Sequence, residues 1–360
     1  MAKVTNFFHT VFVKAIWQTF FVKWIWQTFC IAWVHDAFWK NLVVKKWKFD
    51  RWKGWVYLLP AIILLAVFTI YPIFNTVRIA FLDDYRNAGH NAGEVYTMGI
   101  ENFRWVIKDT LYFLPALKNT MLLCFITVPI STFLALLIAV CLNAIKPLRR
   151  FLQTIFFLPY VTNSIAIGMV FMAMFNVTGH VSISMDNAQT LGVVNIFLQA
   201  IGIEPINWIN AGSTYWSNMA VAIIYIVWNA LPFKILILLG GLQSVNKQYY
   251  EAAKIDGTPR WRVFTRITVP LLSPMLAYVV ITGFIGGFKE YSSIVGIFGD
   301  DMQSAGGNTL QTMVGYIQNS LDPMSGDGEG VASAAALILF AIIFVVTMIN
   351  LYVSKKKTHY

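Results

Sequence analysis

The sequence predicts an all-α membrane protein of six spanning helices, and three observations carry that expectation. First, 58% of the 360 residues are hydrophobic and 12% are charged, against roughly 25% charged in a soluble domain; the mean hydropathy is +0.62. Second, six stretches free of charge, beginning at Gly54, Asn119, Phe151, Pro205, Ile267 and Gly330, each exceed the roughly 20 residues that a helix needs to cross about 30 Å of hydrocarbon. Third, Lys and Arg concentrate in alternate connecting segments, as the positive-inside rule requires of cytoplasmic loops.

In chain order the spans are expected at 55–77, 120–143, 152–176, 217–241, 270–296 and 332–353. With both termini cytoplasmic, the inner segments hold 20 of the 27 basic residues. The net charge of +10 is thus a topology signal distributed over every inner loop, and a nucleic-acid-binding role, which needs a clustered basic face, is not expected. Cys30, Cys124 and Cys141 lie in apolar surroundings without a close pair, so neither disulfides nor a metal site are expected.

Residues 1–53 form an extension ahead of the first span. FVKAIWQTF at 12–20 is followed at once by FVKWIWQTF at 21–29. Nine residues advance a helix by about 900°, which puts Lys14 and Lys23 on opposite faces, so the duplication builds no single amphipathic stripe. Its charge-free runs are too short to span, and eight of the thirteen Trp fall in the first 55 residues among lysines, a composition suited to the headgroup region. An amphipathic helix on the cytoplasmic face is expected, in preference to a re-entrant segment or a signal peptide, for which no small-residue cleavage site follows.

The inner segment 245–267 is polar yet patterned. Helix formers from Asn246 to Asp256 precede Gly257, a left-handed cap; Thr258 and Pro259 suit an N-cap and first position for a second helix. Ala253 and Gly257, four apart, give a face of nearly bare backbone that a partner can approach. Trp261, Phe264 and Ile267 share one face and Arg262 and Arg266 another, which lays the second half along the membrane.

Glu251-Ala252-Ala253, Gly257, Ile267 and Val269-Pro270 together resemble the EAA signature of binding-protein-dependent ABC importer permeases, with Val in place of the usual Leu. The resemblance extends over residues 54–355 through GIENFRWV at Gly99, ALKNT at Ala116, RRFLQTIFFLPYVTNS at Arg149, VVNIFLQAIGIEPINW at Val193 and the long run from Trp228. These segments are similar to the carbohydrate branch and to its maltose-importer-like, substrate-lining subunit. The chain departs from that pattern in having Gly-Gly-Asn at Gly306, where the branch usually has Gly-Gly-Pro, and in residues 1–53, which have no counterpart there.

The resemblance implies a six-helix importer transmembrane domain in a bacterial inner membrane, with Glu251, Ala252, Ala253, Asp256 and Gly257 in a coupling helix that docks on an ATPase subunit. The implied partners are a second homologous permease, two ATPase subunits that bind ATP and Mg, an extracytoplasmic sugar-binding protein, and membrane lipids. It also implies that Tyr160, Ser164, Asn229, Ala230, Gly283, Gly287 and Glu290 line a sugar path. That chemistry is apt: aromatic faces stack on sugar rings, polar groups bond their hydroxyls, and glycines make room. Glu290 stands where the maltose-type permease has a neutral amide, which points to a different, amine-bearing or strongly hydrogen-bonding glycan.

Intramembrane charges narrow the path further. Lys289 and Glu290, expected inside the fifth helix, point about 100° apart, so one of them is expected to face the path. Lys234, late in the fourth helix, is expected to snorkel to the cytoplasmic surface. No Gly-Lys dipeptide, hence no phosphate-cradling P-loop, and no HExxH occurs, so ATP hydrolysis and other catalysis are expected outside this chain. An ion-coupled secondary transporter is the alternative; it would need its own coupling-ion site, usually with inverted repeats, and no repeat of that kind is visible.

Overall fold

The computed structural model describes residues 50–83, 85, 96–145, 149–178, 190–304, 307–322 and 328–357. The tandem nonapeptide and the expected interfacial helix lie outside the described residues. The chain divides into two units, residues 1–74 and 75–360.

From the first unit α1 (Asp50–Leu65) continues through a π-helical turn, Ala66–Ile70, into α2 (Tyr71–Ala80), whose residues from Asn75 on belong to the second. Together they give an apolar helix, Gly54–Ala80, whose most apolar window buries nothing within the chain. Its exposed residues, among them Phe68 and Phe74, have the character of a lipid-facing surface.

The second unit is built on α4 (Phe113–Ala144), α8 (Tyr215–Ser244) and α12 (Ser273–Phe288), with α15 (Glu329–Lys357) beside them. The shorter elements are α3 (Glu101–Lys108), α5 (Arg149–Val161), α6 (Ser164–Phe175), α7 (Val193–Ala200), α9 (Lys247–Ile255), α10 (Arg260–Val263), α11 (Val269–Leu271), α13 (Ser292–Phe298) and α14 (Met313–Ser320). Among the described residues the strands are a two-residue antiparallel pair, β1 (Val177–Thr178) with β2 (Thr190–Leu191).

Among the described residues, four helices are long and apolar enough to cross a bilayer: Gly54–Ala80, Phe113–Ala144, Tyr215–Ser244 and Glu329–Lys356. Two further stretches pass only as bent pairs. Expected as one span over 152–176, the third stretch turns by 99° between α5 and α6, because the Asn163 side chain accepts hydrogen bonds from the Ile165 and Ala166 amides (2.9 and 3.3 Å) and so starts a new helix. The fifth, expected over 270–296, bends by 68° ahead of Ser273 and stops at Phe288, so Lys289 and Glu290 lie between helices and not inside one.

Contacts fix the directions of the central helices. Tyr215 Oη donates to Asn119 Oδ1 (2.7 Å) and Lys234 Nζ to Ser131 Oγ (2.7 Å), so α4 and α8 run parallel. Cys124 lies beside Gly287 and Val128 beside Gly283, so α12 runs antiparallel to α4. Ala135, Ala139, Leu238, Leu239, Leu242, Leu272 and Val279 bury one another where the three meet. Lipid tails are as apolar as leucine, so helix association in a bilayer rests on close packing and hydrogen bonds more than on hydrophobic burial; small residues at the crossings serve it. Where α6 crosses α13, a Cβ on Gly168 would lie 2.6 Å from Gly296 Cα.

Several of the quoted segments prove to be polar fasteners. Asn102, in GIENFRWV, donates to the Ala80 and Leu82 carbonyls. Asn119, in ALKNT, donates to the Thr309 and Gln311 carbonyls, and Thr120 Oγ1 accepts from Met313 N. Asn195 closes the VVNIFLQAIGIEPINW segment on itself: Nδ2 donates to the Ile206 carbonyl, while Oδ1 accepts from Ile206 N and Trp208 Nε1 (2.9, 3.1 and 3.1 Å). Asn308, where the branch usually has Pro, donates through Nδ2 to the Ser213 carbonyl at 2.8 Å, a bond that a prolyl side chain cannot make.

Candidate functional site

A cavity of about 430 Å³ opens between α4, the α5–α6 bend, α8 and α12. All seven residues expected along the path, Tyr160, Ser164, Asn229, Ala230, Gly283, Gly287 and Glu290, line it. Because the bend separates α5 from α6, Tyr160 from the end of one and Ser164 from the start of the other reach the same space.

The lining is ordered by side-chain contacts. Asn229 Nδ2 donates to Ser164 Oγ (3.0 Å) and Tyr225 Oη to the Ser164 carbonyl. Tyr160 stacks on Phe233 with ring centroids 5.8 Å apart and planes 18° from parallel, which leaves an aromatic wall half open to the cavity. Gly287 permits the α4 contact, since a Cβ there would meet Cys124 Sγ at 2.9 Å. The result is one aromatic wall, hydroxyl and amide groups, and glycines on the opposing helix.

Of the two adjacent charges, Glu290 lines the cavity and Lys289 is exposed. Glu290 Oε1 accepts from Ser293 N at 3.2 Å. Glu290 therefore holds the first turn of α13, whose unpaired amides favour a negative charge.

Lys234 does not snorkel. It is 5% exposed, and its ammonium donates to Ser131 Oγ (2.7 Å), Thr132 Oγ1 (3.0 Å) and the Val128 carbonyl (3.3 Å). The expectation failed because α4, parallel to α8, presents hydroxyls at the level of Lys234, and bonding there replaces the longer reach to water. Thr127, Ser131, Thr282 and Lys234 line the cavity as well and were not expected there. The signal was present in the spacing: Thr127 and Ser131 are four apart in an otherwise apolar run, hence on one helix face.

Outside the cavity lies the EAA-like segment. Asn246 caps α9 by accepting from Gln248 N at 3.0 Å, and Gly257 follows with φ +65°, a left-handed conformation that costs other residues most. The second helix starts one residue later than expected, with Pro259 at the N-cap and Arg260 first. Glu251, Ala252, Asp256 and Gly257 are exposed, as are Ile255 and Trp261, whereas Ala253 is buried within the chain. The bare face expected from the pair Ala253 and Gly257 is not formed, because Ala253 turns inward; Ala252 and Gly257 are the small residues left exposed.

The profile of the family described as binding-protein-dependent transport system inner membrane component matches residues 114–359. The chain belongs to that family. Among relatives of this transport component, the lactose transport system permease protein LacF of Rhizobium radiobacter is 30% identical over 311 residues, covering 84% of this chain and 94% of that protein. The arabinooligosaccharides transport system permease protein AraP of Bacillus subtilis is 28% identical, covering 88% and 91%. The trehalose/maltose transport system permease protein MalF of Thermococcus litoralis is 27% identical, covering 88% and 98%. In fold, the inner membrane component matches a bacterial ABC transporter involved in the import of the acidic polysaccharide alginate, with a TM-score of 0.68 at 22% identity over 86% of this chain and 96% of that one.

Proposed function

We propose that this inner membrane component is the permease subunit of an ATP-driven importer for a sugar or oligosaccharide, and that the cavity is its translocation path. The observation that carries this reading is the convergence of Tyr160, Ser164, Asn229, Ala230, Gly283, Gly287 and Glu290 on one cavity. An aromatic wall beside amide, hydroxyl and carboxylate groups is the chemistry that recognises a polyhydroxylated ring. The names of the relatives, which transport lactose, arabinooligosaccharides and trehalose or maltose, favour the same class of solute.

In this reading residues 54–355 form the importer domain, with each bent pair counted as one span to give six, and both termini face the cytoplasm. Residues 1–53 are a cytoplasmic, interfacial extension. A second homologous permease completes the path, an extracytoplasmic binding protein delivers the glycan, and two ATPase subunits bind ATP and Mg. Segment 245–267 is the coupling element: the exposed Glu251, Ala252, Asp256 and Gly257 meet the ATPase, while the buried Ala253 joins α9 to the rest of the domain. Closure of the ATPase pair would then favour an outward-open arrangement, since coupling consists in stabilising one of two states more than the other.

The test is the ATPase activity of the co-purified assembly, titrated with binding protein and a panel of mono- and oligosaccharides. Stimulation by one glycan is expected. Failure of any ATPase subunit to co-purify with an intact 245–267 segment would sink the coupling assignment.

A further inference from the structure

The cavity holds a cation that the proposed function leaves without a role. Lys234 lines it from α8, and among the described residues no carboxylate lies within 4.0 Å of the ammonium. A lysine at membrane depth costs at least about 2.5 kcal/mol unless partnered, and such residues mark solute paths. The partners here are neutral oxygens, and they are unequal.

Ser131 Oγ and Thr132 Oγ1 are good acceptors for the ammonium, because each sends its own proton to a helix carbonyl: Ser131 Oγ to Thr127 O, and Thr132 Oγ1 to Val128 O at 2.7 Å. The third contact is different. Val128 O stands 3.3 Å from Nζ, the longest of the three contacts, and already accepts the Thr132 hydroxyl proton beside the amide bond of its own helix. A carbonyl oxygen has two lone pairs, so the third ammonium N–H has the weakest hold and is the one that an incoming acceptor can take.

Gly283 keeps that approach open. A Cβ at this position would lie 3.2 Å from Nζ and 3.1 Å from Val128 Cγ1, so a side chain at position 283 would cover the ammonium. Glu290, the cavity's carboxylate, is already engaged by the Ser293 amide at the start of α13.

Resting on the sugar-importer reading, we propose that Lys234 is a specificity-determining residue that binds an acidic substituent of the transported glycan, a ring carboxylate such as that of a uronate, through its third N–H. The positive charge, fixed by two hydroxyls and uncovered by Gly283, selects an anionic acceptor over a neutral hydroxyl, because hydrogen bonds between ionised partners are roughly twice as strong as neutral ones.

The test is direct binding to the purified permease–ATPase assembly, by equilibrium dialysis, of a radiolabelled di-galacturonide and of the matched neutral galactose disaccharide. The wild type is expected to bind the acidic sugar about tenfold or more tightly, a ratio that one charge-assisted bond supplies. That ratio should fall to near one in Lys234→Met. Because Met leaves Ser131 and Thr132 unbonded and can disturb packing, Gly283→Ala serves as the second variant; it retains the ammonium but covers it, and should lose the acidic preference too. Equal or tighter binding of the neutral disaccharide by the wild type overturns this proposal while leaving the sugar-importer reading standing. An acidic preference that persists in both variants overturns it as well. Binding of neither sugar, with no glycan in the panel stimulating the ATPase, overturns both readings together.

Discussion

Gly168 and Gly296 meet backbone to backbone where α6 crosses α13, each occupying the space in which the other's side chain would stand. The contact holds α6, which carries Ser164, against α13, whose first turn is held by Glu290, so the placement of both these cavity residues depends on one crossing without side chains.

Replacing either glycine by valine should therefore force the helices apart, at a cost of about 1–3 kcal/mol or more. The apparent melting temperature of the detergent-purified protein is expected to fall for Gly168→Val and Gly296→Val. Gly240→Ala, where an added Cβ meets nothing within 4 Å, should leave it unchanged or raise it slightly. Equal melting temperatures for all three would count against the crossing as a structural constraint.

Asn195→Leu should loosen the segment between α7 and α8. It removes the partner of the Ile206 amide and carbonyl and of the Trp208 indole, each lost hydrogen bond costing about 0.5–1.5 kcal/mol. Asn195→Asp keeps the acceptor and loses only the donor to Ile206 O, so its effect should be intermediate. Limited proteolysis of residues 196–214 is expected to rank the variants leucine, aspartate, wild type in decreasing susceptibility.

At the coupling segment, Gly257→Val opposes a left-handed residue at about 1–2 kcal/mol and adds bulk to an exposed surface. ATPase co-purification should be lost while membrane insertion is retained. Gly257→Asn, better tolerated in that conformation, should be milder. Ala253→Trp is expected to disrupt packing within the domain itself and to reduce the yield of folded protein. Wild-type uptake by the valine variant would remove the coupling role from Gly257.

Glu290 separates a structural from a transport role. Glu290→Gln retains an acceptor oxygen for Ser293 N, so assembly should survive while the range or rate of transported glycans changes. Glu290→Leu loses the acceptor as well, at about 0.5–2 kcal/mol if it behaves as a helix cap, and should lower stability too. Unchanged transport of every tested glycan by the glutamine variant would confine Glu290 to holding α13.

Four of the spans could be read from uncharged length, because a long apolar helix has no competing way to satisfy its backbone in lipid. The two bent stretches could not. Asn163 is uncharged and sits inside an apolar run, so it looks compatible with a continuous helix until its side chain is seen to accept from Ile165 and Ala166. Gly286 and Gly287 ahead of Lys289 and Glu290 carried a stop signal that the total apolar length outweighed. The cavity residues were legible by resemblance, one position at a time; Lys234 was not, since its partners Ser131 and Thr132 lie 102 to 103 positions away in the chain and only the parallel pairing of α4 with α8 brings them level.

That pairing also bears on how the protein enters the bilayer. A lone lysine in a hydrophobic segment opposes insertion, by up to roughly 2.5–3.5 kcal/mol at the helix centre. The helix with the hydroxyls, α4, is synthesised before α8, so the oxygens that will hold the ammonium are already in place when the segment carrying Lys234 leaves the ribosome. The order of helices along the chain thus lets an early segment chaperone a later one, and exchanging their order would deliver a charged helix to the membrane before its acceptors exist.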